Sequence, residues 1–308
     1  MSRLARLVRR YGFYTGAIVL LAYVALYLAP LPPPPTPNPL PESTKILDRE
    51  GRLLYDSAGP ADAHYTYLPL DEMPGRLKEA VIATEDASFY DNPGIDLRAI
   101  GRAAFTNARA GELSSGGSTI TQQLARNLYL EPEDRASKSP LRKIREIVLA
   151  LQLDRSLSKD EVLEQYLNRV YFGNLAYGVE AASRTYFDKR ARDLDLAESA
   201  LMAGLLQSPA DYDPFTNVDA ATGRQSTVLA RMVDEGYITE VEATAAQAEP
   251  LTLNRTPFPI EAPHFVAWVM EQLPDSARIW PVAGSMATTA PSVTLRSFSC
   301  PMCQTTAA

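Results

Sequence analysis

Histidine and cysteine are nearly missing from these 308 residues: His64, His264, Cys300 and Cys303 are all there are. A His/Cys zinc site or a Ser-His-Asp triad therefore has almost no material to work with. Cys300-Pro-Met-Cys303 is a lone C-x-x-C pair with no further ligands nearby, so no protein metal centre is expected there. Surplus positive charge is also lacking. The net charge of −7 and the pI of about 5.1 exclude a general nucleic-acid footprint. No internal repeat is apparent. With 46% hydrophobic and 22% charged residues the chain has the balance of a globular protein with a real core. Its chemistry has to come from carboxylates, cations and amides.

What is there begins with an uncharged stretch, Tyr11–Ala29, preceded by Arg3, Arg6, Arg9 and Arg10. As a helix this stretch spans roughly 28 Å, about the thickness of a bilayer's hydrocarbon. The cationic flank predicts a cytoplasmic N-terminus and an extracytoplasmic remainder. The run is longer than a typical leader core and ends without an A-x-A-like site, so an uncleaved anchor is expected. Pro30–Pro41 predicts an extended polyproline spacer.

Lys45–Tyr55 predicts a hairpin turning at Asp48-Arg49-Glu50-Gly51. From about Leu70 to about Phe215 helical periodicity dominates and little reads as strand. Helices are predicted over Arg76–Glu85, after Gly116-Gly117, around Leu141–Leu151, around Val162–Leu167 and over Leu194–Leu206. Ala220–Ala248 reads as one or two surface helices broken at Gly236. After about Pro274 charge falls away and no packed element can be built.

Four segments carry chemistry. Glu85-Asp86 ends a helix beside Phe89, surroundings that suit an acid or base, although an acidic pair at a helix end is also an ordinary solvated feature. In Gly116–Gln123 two glycines allow close backbone approach, and Ser118 or Thr119 can cap a helix with Gln122 at the capping-box position of Thr119. Such a helix start is a seat for phosphate, and Arg126 adds a cation on the same side. Lys138 and Arg142-Lys143-Ile144-Arg145-Glu146 supply more charge. Helical geometry places Arg142, Arg145 and Glu146 in one arc, with Leu141, Ile144, Ile147, Val148 and Leu151 opposite. That arc is either a solvated face or a clamp for a diphosphate with Glu146 orienting the cations or holding a divalent ion. In Lys159–Asn168 the apolar face reads as core, and Glu164 and Asn168 as structural hydrogen-bonding groups.

In this order and spacing the segments resemble the glycosyltransferase module of class A penicillin-binding proteins, the family 51 peptidoglycan glycosyltransferases. Ala181-Ala182, Tyr186-Phe187, Ala197-Glu198 and Leu205 continue the match to Pro209. The resemblance implies a mainly α, lysozyme-like helical domain behind an N-terminal transmembrane helix in the cytoplasmic membrane. It implies a transferase that polymerises lipid II into β-1,4 glycan strands and releases polyprenyl diphosphate. Glu85 would be the general base that deprotonates the acceptor 4-hydroxyl and Glu146 the second essential carboxylate. Asp86, Ser118, Thr119, Gln122 and Gln123 would line the substrate site. Arg126, Lys138, Arg142, Lys143 and Arg145 would hold the leaving diphosphate, with Mg²⁺ or Mn²⁺ as divalent cation. Its partners would be lipid II, the growing glycan strand, the membrane and the cell-wall synthesis machinery. Asn92 stands where the family usually has histidine, which predicts tuning of the site rather than loss.

The expected organisation is an anchor at 1–30, a linker at 31–44, the glycosyltransferase domain at 45–216, a helical linker region at 217–273 and an irregular tail at 274–308. Relatives continue into a transpeptidase domain, so the tail is expected to be a truncated or frame-shifted end. Ser156-Leu157-Ser158-Lys159 matches Ser-x-x-Lys but falls within the helical region with no Ser-x-Asn or Lys-Thr-Gly after it, which predicts coincidence. Two rival readings remain: a lysozyme-like hydrolase, which has no need of the cations, and a tethered scaffold without turnover.

Overall fold

A computed structural model describes residues 43–50, 52–57, 63–102, 117–130, 134–135, 139–254 and 262–272, with Tyr14, Leu21 and Ala25. The expected anchor, spacer and tail lie outside the described residues apart from those three, as do Gly116, Lys138 and both cysteines. Among the described residues no helix is long and apolar enough to cross a membrane. The chain divides into two compact units, one built on Ile82–Tyr166 and the other on Asn38–Val81 with Leu167–Ala308. The elements are mainly helical: α1 (Gly75–Glu85), α2 (Ile120–Tyr129), α3 (Pro140–Ser156), α4 (Lys159–Arg169), α5 (Val179–Phe187), α6 (Leu196–Leu205), α7 (Val218–Asp234), α8 (Glu240–Ala248) and α9 (Pro263–Gln272).

In the second unit β1 (Thr44–Leu47) and β2 (Leu53–Ser57) form the expected antiparallel hairpin, with a register shift at Ile46/Leu47. The Asp48 carboxylate closes the turn by accepting from the backbone N–H groups of Glu50 and Arg52. Ile46 and Leu54 of the hairpin bury against Val266 and Val269 of α9, with Tyr55, Phe265 and Trp268 around them. A second sheet was not foreseen. β3 (His64–Tyr65) runs parallel to β5 (Ala176–Tyr177), which pairs antiparallel with β4 (Tyr171–Gly173). Strands of two or three residues are too short to show an alternating pattern. Asn168 holds this region by accepting from Leu68 N–H and donating to Leu68 C=O, both at 2.8 Å, the structural role expected of it.

α6 is buried from Ala197 to Leu205 and starts in a capping box of Asp195 and Glu198. α7 buries Ala221, Gln225, Val228, Leu229 and Met232, and Gln225 donates to Ala197 C=O. The expectation of surface helices over Ala220–Ala248 is therefore corrected for α7, whose small and polar residues hide a packed face. The break falls at Gly236, at φ 76°.

The first unit packs α2 on α3, and Phe89, Ile120, Leu124, Ala150, Leu153, Leu163 and Tyr166 are buried within it. The predicted faces of α3 are reversed in its first turns. Leu141 and Ile144 are 76% and 55% exposed, whereas Glu146 is 1% exposed. Glu146 turns inward to meet Arg142 and Lys143 of its own helix, so in these turns part of the arc that periodicity gave to charged groups faces the interior. Gly94, at φ +82°, lets the loop after α1 cross this helix: a Cβ there would stand 2.7 Å from Ala150 C=O. Gly94→Ala is expected to cost about 1–3 kcal/mol of stability, read as a lowered urea midpoint.

Candidate active site

The site is built on the start of α2. Thr119 caps it, accepting from Gln122 N–H, and Gln122 Oε1 accepts from Thr119 N–H, which completes the predicted box. Thr119 also donates to Gly94 C=O at 2.7 Å and so ties the helix to the loop behind Glu85. Gln122 and Gln123 leave this first turn in different directions and lead to the two carboxylates.

Glu85, partly exposed at the end of α1, accepts a 2.7 Å hydrogen bond on Oε2 from Gln123 Nε2. The other Glu85 oxygen has no hydrogen-bond partner among the described residues, and a base needs that freedom. Gln123 Oε1 in turn accepts from Tyr166 Oη at 3.0 Å. Tyr166 is fully buried, and burial together with the Glu85 charge lifts its phenol far above the ordinary range, so it stays protonated and donates.

Along the other direction, Lys143 Nζ donates to Ser118 Oγ at 2.6 Å, to Gln122 Oε1 at 3.2 Å and to Glu146 Oε2 at 3.3 Å. Arg142 donates to the second Glu146 oxygen. Burial depresses the Lys143 ammonium below the ordinary lysine range. The Arg126 and Arg142 charges push the same way, against Glu146. Arg126 is felt both at Lys143 and at Tyr166, so its charge lies within reach of both carboxylate networks. Arg142 Nε and Gln122 Nε2 are buried with no hydrogen-bond partner among the described residues, so the cluster retains unused donors.

The sequence-predicted residues do not all meet. Glu85, Ser118, Thr119, Gln122, Gln123, Arg142, Lys143 and Glu146 form the connected network, and Arg126 acts on it through its charge. Arg145 points elsewhere: more than half exposed, it lies 3.7 Å from Asp134. Lys138 lies outside the described residues. Asp86 is buried, and it takes the seat that the helix start was expected to offer phosphate. Its carboxylate accepts from Ile120 N–H at 3.1 Å, from Asn92 Nδ2 at 2.9 Å and from Ser88 Oγ at 3.3 Å. A nearby side-chain anion outcompetes a diffusing one at a free helix N-terminus. Asn92 completes the loop by accepting from Gly94 N–H on its side chain and from Lys159 Nζ on its backbone carbonyl. Lys159 also pairs with Asp154 at 2.6 Å and lies over the Phe89 ring. Ser156 Oγ donates to Gln152 C=O in its own helix, so the Ser-x-x-Lys pattern has no nucleophile to activate.

Burial pushes the Asp86 carboxyl above the ordinary aspartate value of 3.8, outweighing its hydrogen bonds and the Lys159 charge. Because folding raises this group, it favours the folded state most below that ordinary value. The contribution is lost as pH rises through the folded pKa. The stability of the wild type relative to Asp86→Asn should therefore fall as pH climbs from about 3 to 7. Urea unfolding at both pH values checks this, and a pH-independent difference contradicts it.

Sequence reasoning missed Tyr166, taken only as part of an apolar face. The signal was available, because a tyrosine in a buried stripe needs a partner for its hydroxyl.

A partly open carboxylate linked to a cluster of cations is equipment for acid–base chemistry on an anionic substrate. The sequence profile of the Transglycosylase family matches residues 50–233. The penicillin-binding protein 1A of Vibrio cholerae is 45% identical over 216 residues, covering 68% of this chain and 26% of that protein. That of Aquifex aeolicus is 43% identical over 215 residues, 70% of this chain and 29% of the relative. The penicillin-binding protein 1F of Bacillus subtilis is 41% identical over 212 residues, 69% and 29%. The chain belongs to the transglycosylase family and carries the glycosyltransferase module of class A penicillin-binding proteins. It spans between 26% and 29% of the length of these relatives.

Proposed function

We propose that this chain polymerises lipid II into β-1,4 glycan strands at the outer face of the cytoplasmic membrane and releases polyprenyl diphosphate. The observation that carries the proposal is the joining of Glu85 and the Arg142–Lys143–Glu146 cluster through adjacent glutamines of one helix turn. Displacing an α-linked diphosphate with inversion needs one base for the incoming hydroxyl and cations for the departing charge. The free Glu85 oxygen takes the proton of the acceptor 4-hydroxyl. Arg126, Arg142 and Lys143 receive the diphosphate, each charge-assisted contact contributing about 1.5–3 kcal/mol. Ser118 and Gln122 hold Lys143 in position, and Glu146 keeps Arg142 and Lys143 together.

The proposal includes a lysozyme-like arrangement of the helical domain and a single membrane pass over residues 11–29, supported by the arginines before that run. It also includes recruitment by the cell-wall synthesis machinery. A divalent cation, Mg²⁺ or Mn²⁺, would arrive with the diphosphate and take most of its oxygen ligands from it. Among the described residues no group of three or more His, Cys, Asp or Glu could hold such an ion, and both Glu146 oxygens already meet cations. Bound there, the ion would neutralise part of the leaving group's charge, and no step here depends on it.

Purified full-length protein given labelled lipid II in detergent should yield glycan chains resolved on a gel. Shortening of preformed glycan would favour a hydrolase instead, and no product under any metal or detergent condition would leave a scaffold. The cation cluster argues against hydrolysis, because a neutral glycosidic bond gives those cations nothing to bind.

A further inference from the structure

Tyr166 and Gln123 form a chain that ends on Glu85, and a glutamine amide is ambiguous unless something fixes which end faces which neighbour. Its carbonyl accepts and its NH₂ donates. If the amide turned over, its oxygen would face the Glu85 carboxylate, two acceptors with no proton between them. We infer that the buried Tyr166 hydroxyl is a positioning residue for the glycosyl transfer, holding the Gln123 amide so that its NH₂ clamps Oε2 of Glu85 and leaves the other oxygen turned to the acceptor hydroxyl.

Three observations support this. The two bonds run in one sense, Tyr166 Oη to Gln123 Oε1 at 3.0 Å and Gln123 Nε2 to Glu85 Oε2 at 2.7 Å. Tyr166 is fully enclosed, flanked on α4 by Val162, Leu163 and Leu167, so the phenol has little freedom to turn away. Its proton is secure, since burial and the Glu85 charge both oppose ionisation and only Arg126 favours it. The ring fills the core, and the hydroxyl does the orienting. Among the described residues, Glu85 and Arg126 act on the Tyr166 phenol by charge, while Lys143, Arg142 and Glu146 on α3 connect through Gln122. Among the described residues Gln123 is the side chain that hydrogen-bonds the Glu85 carboxylate.

The inference rests on Glu85 being the base. Misplacing a reacting group by a fraction of an ångström to 1 Å costs up to about a hundredfold in rate without weakening substrate binding elsewhere. Tyr166→Phe, which keeps the ring, should therefore lower kcat for glycan formation roughly ten- to a hundredfold with KM for lipid II little changed. In a Gln123→Ala background the same substitution should have almost no further effect, because its route to Glu85 is already gone. Far-ultraviolet circular dichroism and thermal unfolding of each full-length variant report the fold separately. Gln123→Leu, close in size, gives a second route should Gln123→Ala not fold. A Tyr166→Phe enzyme with wild-type kcat, with only a raised KM, or with the same loss in both backgrounds would overturn the relay. Wild-type activity that disappears in Glu85→Gln but ignores Tyr166→Phe removes the relay alone. A wild type inactive on lipid II removes the proposed function, and the relay with it.

Discussion

Glu85→Gln is expected to lower kcat for glycan formation about 10²- to 10⁴-fold, the contribution typical of a positioned general base. The exchange is nearly isosteric. Among the described residues the Glu85 carboxylate has one hydrogen bond, from Gln123, and an amide oxygen can still accept it. Asp86, which holds the loop to α2, is untouched, so the fold should stay. What disappears is the oxygen that takes a proton. KM for lipid II should change little, because on the proposed function Arg126, Arg142 and Lys143 would hold the diphosphate from the other direction. Steady-state rates on purified full-length protein check this, and a KM effect alone would reassign Glu85 to binding.

Glu146→Gln should affect both stability and turnover. Glu146 is 1% exposed and bonded to two cations, Arg142 and Lys143, which keep 20% and 34% of their side-chain exposure. Removing one member of a buried ion pair costs about 3–5 kcal/mol because the partner charge is left uncompensated. Solvent screening of the two cations places this case at about 3 kcal/mol. Arg142 and Lys143 would then repel each other and lose their shared position, and diphosphate departure would slow with them. Urea denaturation should show a lowered midpoint with unchanged slope, and glycan formation should fall. A variant with wild-type stability and rate would show that the Arg142–Lys143–Glu146 cluster holds nothing in place.

How much of this was legible in the sequence depended on whether a signal was local. The capping box of Thr119 and Gln122 could be read directly, because its spacing and its residue types are the mechanism. So could the hairpin, whose turn is closed by the Asp48 side chain two and four residues back along the chain. The α3 stripe could not. Periodicity sorts residues by hydrophobicity, and α3 buries Glu146 while exposing Leu141 and Ile144. A buried ion cluster defeats that sorting.

Asp86 illustrates the same difficulty at the helix start. Free N–H groups were visible in the sequence, but the carboxylate that uses one of them lies 34 residues earlier. Arg145 and Arg142 share an arc of the helix on paper, yet Arg142 turns in to Glu146 while Arg145 stands beside Asp134 in solvent. Tyr166 needed three elements at once, with Glu85, Gln123 and the phenol coming from α1, α2 and α4. Pairings across such distances are set by packing, which no single-chain spacing records.

The most direct test of a single base working with a cation cluster is the configuration of the new linkage. Nuclear magnetic resonance of glycan made from α-linked lipid II by the purified full-length protein should show β-1,4 bonds only, the inverted product of one displacement. Products of α configuration, or free disaccharide in place of polymer, would contradict it.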